Sequence, residues 1–218
     1  MNRFLQNIRR PEGFGGSVAA FLMNHKHATL SDWGISRLNL KEEKDILDIG
    51  CGGGRNLAAL LERCRHSRAV GIDYSGVSVR RAMRKNRKYI EENRCRILRM
   101  PVSGLPIWGR KFDLATVFET VYFRPDMKDS FRRIYSSLRP GGSFMICSEA
   151  DGTDVSKARW ESQISGMRIC RRDELEEILW STGFMEVTVY RKPEKGWLCI
   201  TAKRGIEQNK ANRKYVGL

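Results

Sequence analysis

Apolar positions along this chain follow two alternating rhythms. Short, mostly apolar runs at residues 45–49, 69–73, 96–99, 112–118 and 143–148 read as β-strands, the third the weakest. Between them, apolar side chains recur at helical spacing. Leu57, Leu60, Leu61 and Cys64 form an i, i+3, i+4, i+7 stripe. Ser75 suits the N-cap of a helix reaching about Asn93, with Val79, Ala82, Met83 and Ile90 facing inward. Pro125 and Asp126 open a further helix with Met127, Phe131, Ile134 and Leu138 on its buried side, and Pro140-Gly141-Gly142 ends it. Asp173 and Glu174 fit a helical first turn, Leu175, Ile178 and Leu179 its buried side, and Gly183 its stop. Strands alternating with helices predict βαβ units and a parallel sheet. Two last β-rich runs, 185–190 and 197–202, are joined through Pro193-Glu194-Lys195-Gly196, a link short enough to require an antiparallel hairpin. Ahead of the core, 17–24 and 31–38 read as two short helices. Residues 204–218 are polar without an apolar period and read as a frayed tail.

The pattern concentrates its chemistry at one junction. Asp45-Ile46-Leu47-Asp48-Ile49 runs into Gly50-Cys51-Gly52-Gly53-Gly54, and a helix follows from Arg55. Such a turn is where an α/β sheet takes a nucleotide-like cofactor, because glycines admit the ligand to the backbone and the helix start offers N–H groups. A dinucleotide fingerprint fails here, since Arg55 stands where its last glycine belongs. A phosphate-binding P-loop fails too, for lack of Gly-Lys-Ser/Thr. The loop therefore suits a cofactor without a pyrophosphate. Asp73, at the end of the next strand, can accept two hydrogen bonds from a ribose diol, which points to an adenosine-containing cofactor.

Composition narrows the picture only a little. A chain of 218 residues fits one domain with appendages and needs no disulfides. No apolar run approaches the roughly 20 residues that cross a bilayer, and residues 1–16 lack a secretory pattern, so a cytoplasmic protein is expected. Six cysteines are scattered without metal-ligand spacing and read as reduced buried thiols; no metal is expected. The net charge of +15 permits attraction to nucleic acid, anionic membrane or acidic substrates and selects none of them.

Five blocks occur in order: Leu47-Asp48-Ile49-Gly50-Cys51-Gly52-Gly53-Gly54, Gly71-Ile72-Asp73-Tyr74-Ser75, Leu105-Pro106, Phe112-Asp113-Leu114-Ala115-Thr116 and Leu138-Arg139-Pro140-Gly141-Gly142. Together they resemble the class I S-adenosylmethionine-dependent methyltransferases of the small-molecule, ubiquinone-biosynthesis-like kind, over residues 41–203. The resemblance implies a Rossmann-like α/β fold: a mostly parallel seven-stranded sheet with a C-terminal antiparallel hairpin and helices on both faces. Residues 1–40 would form a helical lid, and 204–218 a polar tail. It also implies a transferase using S-adenosylmethionine. By position, Gly50, Cys51, Gly52 and Gly54 would lie against the methionine part, with Asp48 shaping the loop. Asp73 would hold the ribose, Tyr74 and Ser75 would follow along the adenine, and Val102 and Ser103 would supply the adenine edge. Phe118 and Glu119 would border the sulfonium. The sequence departs from the family at Pro101, where an Asp commonly takes the adenine amino group; proline has neither carboxylate nor N–H.

Methyl transfer from a sulfonium needs little chemical machinery. The protein has to align a nucleophile and exclude water, and a base is needed only for a protonated acceptor. Candidate catalytic residues are Glu119 and Tyr122 after the fourth strand, and His27 in the lid. Phe123, Glu149, Asp151 and His25 lie in the same segments, and Gly13-Phe14-Gly15-Gly16 could hinge the lid. Arg80, Arg81, Arg84, Lys85, Arg87 and Lys88 crowd one helix and read first as a solvated face. Motifs of base-amino and 5-methylcytosine methyltransferases are missing, so the expected partner is a small-molecule acceptor. Nucleic acid is possible without motif support, a membrane is not expected, and the oligomeric state is open. The rival readings are an RNA or protein methyltransferase and a non-catalytic S-adenosylmethionine-binding protein.

Overall fold

The computed structural model describes residues 28–40, 44–105, 112–121, 126–149 and 168–206. Its strands are β1 (Asp45–Ile49), β2 (Arg68–Asp73), β3 (Cys95–Arg99), β4 (Phe112–Phe118), β5 (Leu138–Ser148), β6 (Phe184–Lys192) and β7 (Trp197–Arg204). They form one sheet in the order β3-β2-β1-β4-β5-β7-β6. The first five are parallel, and β7 runs antiparallel between β5 and β6. The chain winds outward from β1 to β3, then crosses back to place β4 on the other side of β1. That reversal leaves a crevice at the carboxyl ends of β1 and β4, the place where open α/β sheets bind ligands.

Both faces of the sheet are covered, which explains why β1 is buried at every position and β4 at every position but Asp113, rather than alternately. Leu47, Ile49 and Val117 pack on one side with Phe131 and Ile134 of α5 (Met127–Ser137) and Leu175 and Leu179 of α6 (Arg172–Thr182). Ile46, Leu114 and Met145 face the other side. There they meet Leu57, Leu60 and Leu61 of α2 (Arg55–Arg63) and Leu30, Trp33 and Ile35 of α1 (Ala28–Ile35). Each such fully buried side chain contributes about 1.5–3 kcal/mol of transfer free energy.

Several sequence expectations change in detail. The helix expected from Ser75 to about Asn93 is two helices, α3 (Gly76–Lys85) and α4 (Arg87–Glu91). Ser75 is the N-cap, its Oγ accepting the Ser78 amide at 3.3 Å. The break falls at Asn86, whose buried amide donates to the Ala82 carbonyl at 3.0 Å and to Gly54 at 2.9 Å. A short polar side chain that bonds backbone locally offers an alternative to the helical ladder. Met83 is not inward but 46% exposed.

Asp126 caps α5 as expected, accepting the Asp129 amide at 2.8 Å. Pro140-Gly141-Gly142, however, does not stop that helix; α5 ends at Ser137, and the triplet lies inside β5 as a bulge. Pairing jumps there from Phe112↔Leu138 to Leu114↔Ser143. A Cβ on Gly142 would come within 2.9 Å of the Arg139 carbonyl, so only glycine fits the doubled-back chain. Arg139 locks the bulge by pairing with Asp45 at 3.0 Å and with Asp113.

The expected helix at 31–38 starts earlier and spans α1, because Leu30, Trp33 and Ile35 are the residues that bury. β7 continues past 202, since Arg204 donates to the Leu138 carbonyl at 2.7 Å and to Tyr135 at 3.1 Å, satisfying the end of α5. The expected helix at 17–24 and residues 207–218 of the tail lie outside the described residues.

Candidate functional site

The crevice is built from the glycine loop upward. Gly50, Gly52 and Gly54 all have positive φ, at 75°, 53° and 77°. Gly50 passes beneath Thr120, where a Cβ would meet the threonine Oγ1 and Cγ2 at 2.6 Å. Gly54 abuts Ala82 of α3, where a Cβ would lie 2.9 Å from Ala82 Cα. The loop is thus wedged between the end of β4 and the flank of α3, and glycine is required for conformation and for space.

Loop amides are turned inward. Those of Gly50 and Cys51 donate to the Ile72 carbonyl at 2.8 and 3.0 Å, and that of Gly52 donates to Asp73 Oδ2 at 3.0 Å. They are not arrayed as a nest for a pyrophosphate. Asp73 therefore ties the ends of β1 and β2 together. Its Oδ1 accepts the Ser75 amide at 2.8 Å, and the residue is 8% exposed. Burial raises its carboxyl above the ordinary range, and the Ser75 and Gly52 amides pull it back.

Asp48 sits deeper, at 1% exposure. Thr116 Oγ1 of β4 donates to its Oδ1 at 2.8 Å, while Oδ2 is buried without a hydrogen-bond partner among the described residues. Burial pushes its carboxyl up to about 7, against the Thr116 hydrogen bond and with a further push from Asp73. A buried carboxylate oxygen left unpaired is costly unless a cation or donor completes it.

At the end of β4, Glu119 adopts φ 57°, a conformation uncommon for a non-glycine residue. Its amide donates to the Cys147 carbonyl at 2.9 Å, and its Oε1 accepts the Glu149 amide at 2.6 Å. The side chain therefore braces the segments that follow β4 and β5. Phe118 is buried beneath α1, near Gly34, rather than lining the open end of the crevice. Cys51 also faces inward against Gly71, and burial pushes its thiol well above the ordinary range, so its contribution is backbone. Beyond β3, Pro101 precedes a single 3-10 turn, Val102–Gly104; Val102 is half-buried and Ser103 exposed. The Met100 amide bonds the Asp73 carbonyl at 3.0 Å, which carries this turn alongside Asp73 and the 36%-exposed Tyr74.

The fold brings together Asp48, Gly50, Cys51, Gly52, Gly54, Asp73, Tyr74, Ser75, Val102, Ser103 and Glu119 around one crevice. Tyr122, His27, His25, Phe123 and Asp151 lie outside the described residues. Three contributors escape the sequence reading. Thr116 is a polar position inside an apolar strand, and Asn86 an uncharged amide inside a basic run; both signals were visible. Arg55 pairs with Asp32 of α1 at 2.7 Å and so anchors that helix over the loop, which sequence spacing could not reveal.

Comparison with known proteins agrees with this geometry. The profile of a methyltransferase domain family matches residues 46–142, from β1 to the bulge in β5. The chain carries a methyltransferase domain on the Rossmann-like fold of the class I methyltransferases. An uncharacterized methyltransferase, YdaC, of Bacillus subtilis (strain 168) is 23% identical over 66% of this chain and 78% of its own length. An O-methyltransferase of Pyrenophora dematioidea is 25% identical over 79% of this chain and 67% of its own. Among solved structures, Haemonchus contortus phosphoethanolamine N-methyltransferase 2 in complex with S-adenosyl-L-methionine superposes with a TM-score of 0.76. It is 15% identical, and the match covers 94% of this methyltransferase and 60% of that chain.

Proposed function

We infer that this methyltransferase moves the methyl group of S-adenosylmethionine to a small-molecule acceptor by direct in-line displacement. The observation that carries the reading is a local reversal of sign. In a chain of net charge +15, Asp48, Asp73 and Glu119 gather at the carboxyl ends of β1, β2 and β4. A crevice so lined suits a cofactor that is cationic at sulfur and at its amino group. Asp48, with its buried unpartnered oxygen, fits the ammonium. Asp73 uses one lone pair of each oxygen on Gly52 and Ser75 and keeps the second of each for a ribose diol. Tyr74 and the Val102–Ser103 turn flank the adenine position, and with Pro101 in place its recognition falls to backbone and Ser103.

Bound there, the cofactor supplies an electrophilic methyl on a positively charged sulfur that departs as a neutral thioether. The chain's own residues do the rest. The wedged glycine loop would hold the cofactor against the end of β1, and the segments that follow β4 and β5 would border the approach of a nucleophile. Glu119, whose Oε1 accepts the Glu149 amide, would take the proton from an acceptor that arrives protonated. The names of the relatives span oxygen, nitrogen and carbon acceptors.

The test is transfer of labelled methyl from S-adenosylmethionine to a panel of phenols, alcohols and amines. Asp48→Asn is expected to raise the cofactor KM. Glu119→Gln is expected to lower kcat about 10²–10⁴-fold with a protonated acceptor, the range for a lost general base. Transfer indifferent to both substitutions would contradict the assignment.

A further inference from the structure

A second feature lies along the β3 edge of the sheet. Residues 76–99 hold nine basic side chains against two acidic ones, a net +7 and close to half of the chain's +15. The two acids are engaged, Glu91 by Arg87 at 2.7 Å and Glu92 by Arg94 at 3.4 Å. Arg80, Arg84, Lys85 and Lys88 are exposed on α3 and α4, and Arg96 and Arg99 are exposed on β3, the outermost strand. α3 needs none of them for its packing, because Val79 and Ala82 supply its buried side.

The cations are arranged, not merely abundant. Arg80 and Arg84 lie one turn apart on α3, and Lys88 follows on α4 beyond the break at Asn86. At the head of α3, Arg80 and Arg99 converge on one backbone position: an ideal Cβ on Gly76 would lie 3.5 Å from Arg80 Nη1 and 3.6 Å from Arg99 Nη1. Two guanidiniums brought to one backbone position from different elements form a pair that the oxygens of a tetrahedral phosphate can bridge. From those two arginines the band runs away along the helix pair, as a chain of phosphates would.

We propose that the α3–α4–β3 edge is a docking surface for the phosphodiester backbone of a nucleic acid. Its recognition is independent of sequence, since every named group is a phosphate-type contact. An anionic bilayer fits less well. Helices that lie on membranes bury a continuous apolar face, whereas the exposed side of α3 offers Met83 alone among large apolar groups. Arg80 and Arg99 lie beside Asp73 and Tyr74, so a docked strand would pass next to the cofactor crevice. The surface does not depend on the cofactor assignment, and its test needs no activity.

Fluorescence anisotropy with labelled single-stranded RNA and duplex DNA of about 20 nucleotides is expected to show binding that weakens about 100-fold between roughly 50 and 200 mM salt, the loss for about five contacts. Arg80→Gln/Arg99→Gln and Arg80→Gln/Arg84→Gln should each weaken binding and reduce the salt slope by about 1 per arginine. Lys128→Gln/Arg132→Gln, an equal charge loss on exposed α5 positions, should leave it near wild type. The second arginine pair keeps the Arg99 hydrogen bond to the Tyr74 carbonyl, so a folding defect in the first cannot mislead. Whichever nucleic acid binds more tightly identifies the source. The proposal is overturned if neither binds at low salt, or if the arginine pairs behave like the α5 control. It is equally overturned if phosphatidylserine vesicles or polyglutamate bind these arginines as tightly as the nucleic acids do.

Discussion

Two carboxylates define this methyltransferase at the scale of single residues, and their environments separate them. Asp73 is held by two amides and keeps lone pairs for a ligand. Its replacement by Ala should weaken cofactor binding by about 1.5–3 kcal/mol, the range for hydrogen bonds to a charged group. Asp48 has one donor and one buried oxygen without a partner among the described residues. Its folded-state carboxyl stands near 7, above its ordinary 3.8, so the folded chain holds that proton more tightly than the unfolded chain does. Stability from this group is then fullest at low pH and declines as pH rises toward 7, with a slope of up to about 1.4 kcal/mol per unit, and is level above. Thermal unfolding of the cofactor-free protein from pH 5 to 8 should show this decline. Asp48→Asn should flatten it, and S-adenosylhomocysteine, which brings an ammonium, should offset it in the wild type. A decline of equal size in the Asn variant would assign the effect to other groups. Both aspartates were legible in the sequence because their spacing from the glycines is a motif. Their difference was not, since it comes from Thr116 and from depth in the sheet.

Elements were legible where apolar period and punctuation agreed. β1 and β4 fall on residues 45–49 and 112–118 as read, and Ser75, Asp126 and Gly183 cap or stop helices as their chemistry requires. The misreadings share a cause: a tertiary partner outweighed a local signal. Pro140-Gly141-Gly142 looks like a helix stop, yet Phe112, Asp113 and Asp45 recruit it into a bulge of β5. Asn86 sits in a good helical run, yet the Gly54 carbonyl draws its amide. That bond joins α3 to the glycine loop, so Asn86→Ala should cost about 1–3 kcal/mol by leaving a buried carbonyl short of a donor. Cofactor affinity should fall with it, because the loop loses its outer support. Chemical denaturation beside a cofactor titration would check both. By contrast Arg55→Ala removes a partly exposed ion pair and should change stability by less than about 1 kcal/mol.

Taken whole, the molecule sorts its charge. Asp48, Asp73 and Glu119 gather at the carboxyl ends of β1, β2 and β4, where a cationic cofactor would lie, while close to half of the excess of base lies on an outer edge. Among the described residues no helix is long and apolar enough to cross a membrane. The sheet order was legible as a parallel sheet with a closing hairpin, but the insertion of β7 between β5 and β6 belongs to topology that periodicity cannot encode. The same is true of the site. Its glycine loop and the carboxylate of Asp73 announce themselves in sequence, whereas the bracing of Glu119 by Glu149 depends on two strands, β4 and β5, becoming neighbours. The central claim, that the crevice is an S-adenosylmethionine site organised by Asp73, is tested most directly by calorimetric titration with S-adenosylhomocysteine. Wild type should bind it and ignore NAD, and Asp73→Ala should lose most of the affinity while keeping its fold. Equal affinity in the two proteins, or heat from NAD in place of S-adenosylhomocysteine, would contradict it.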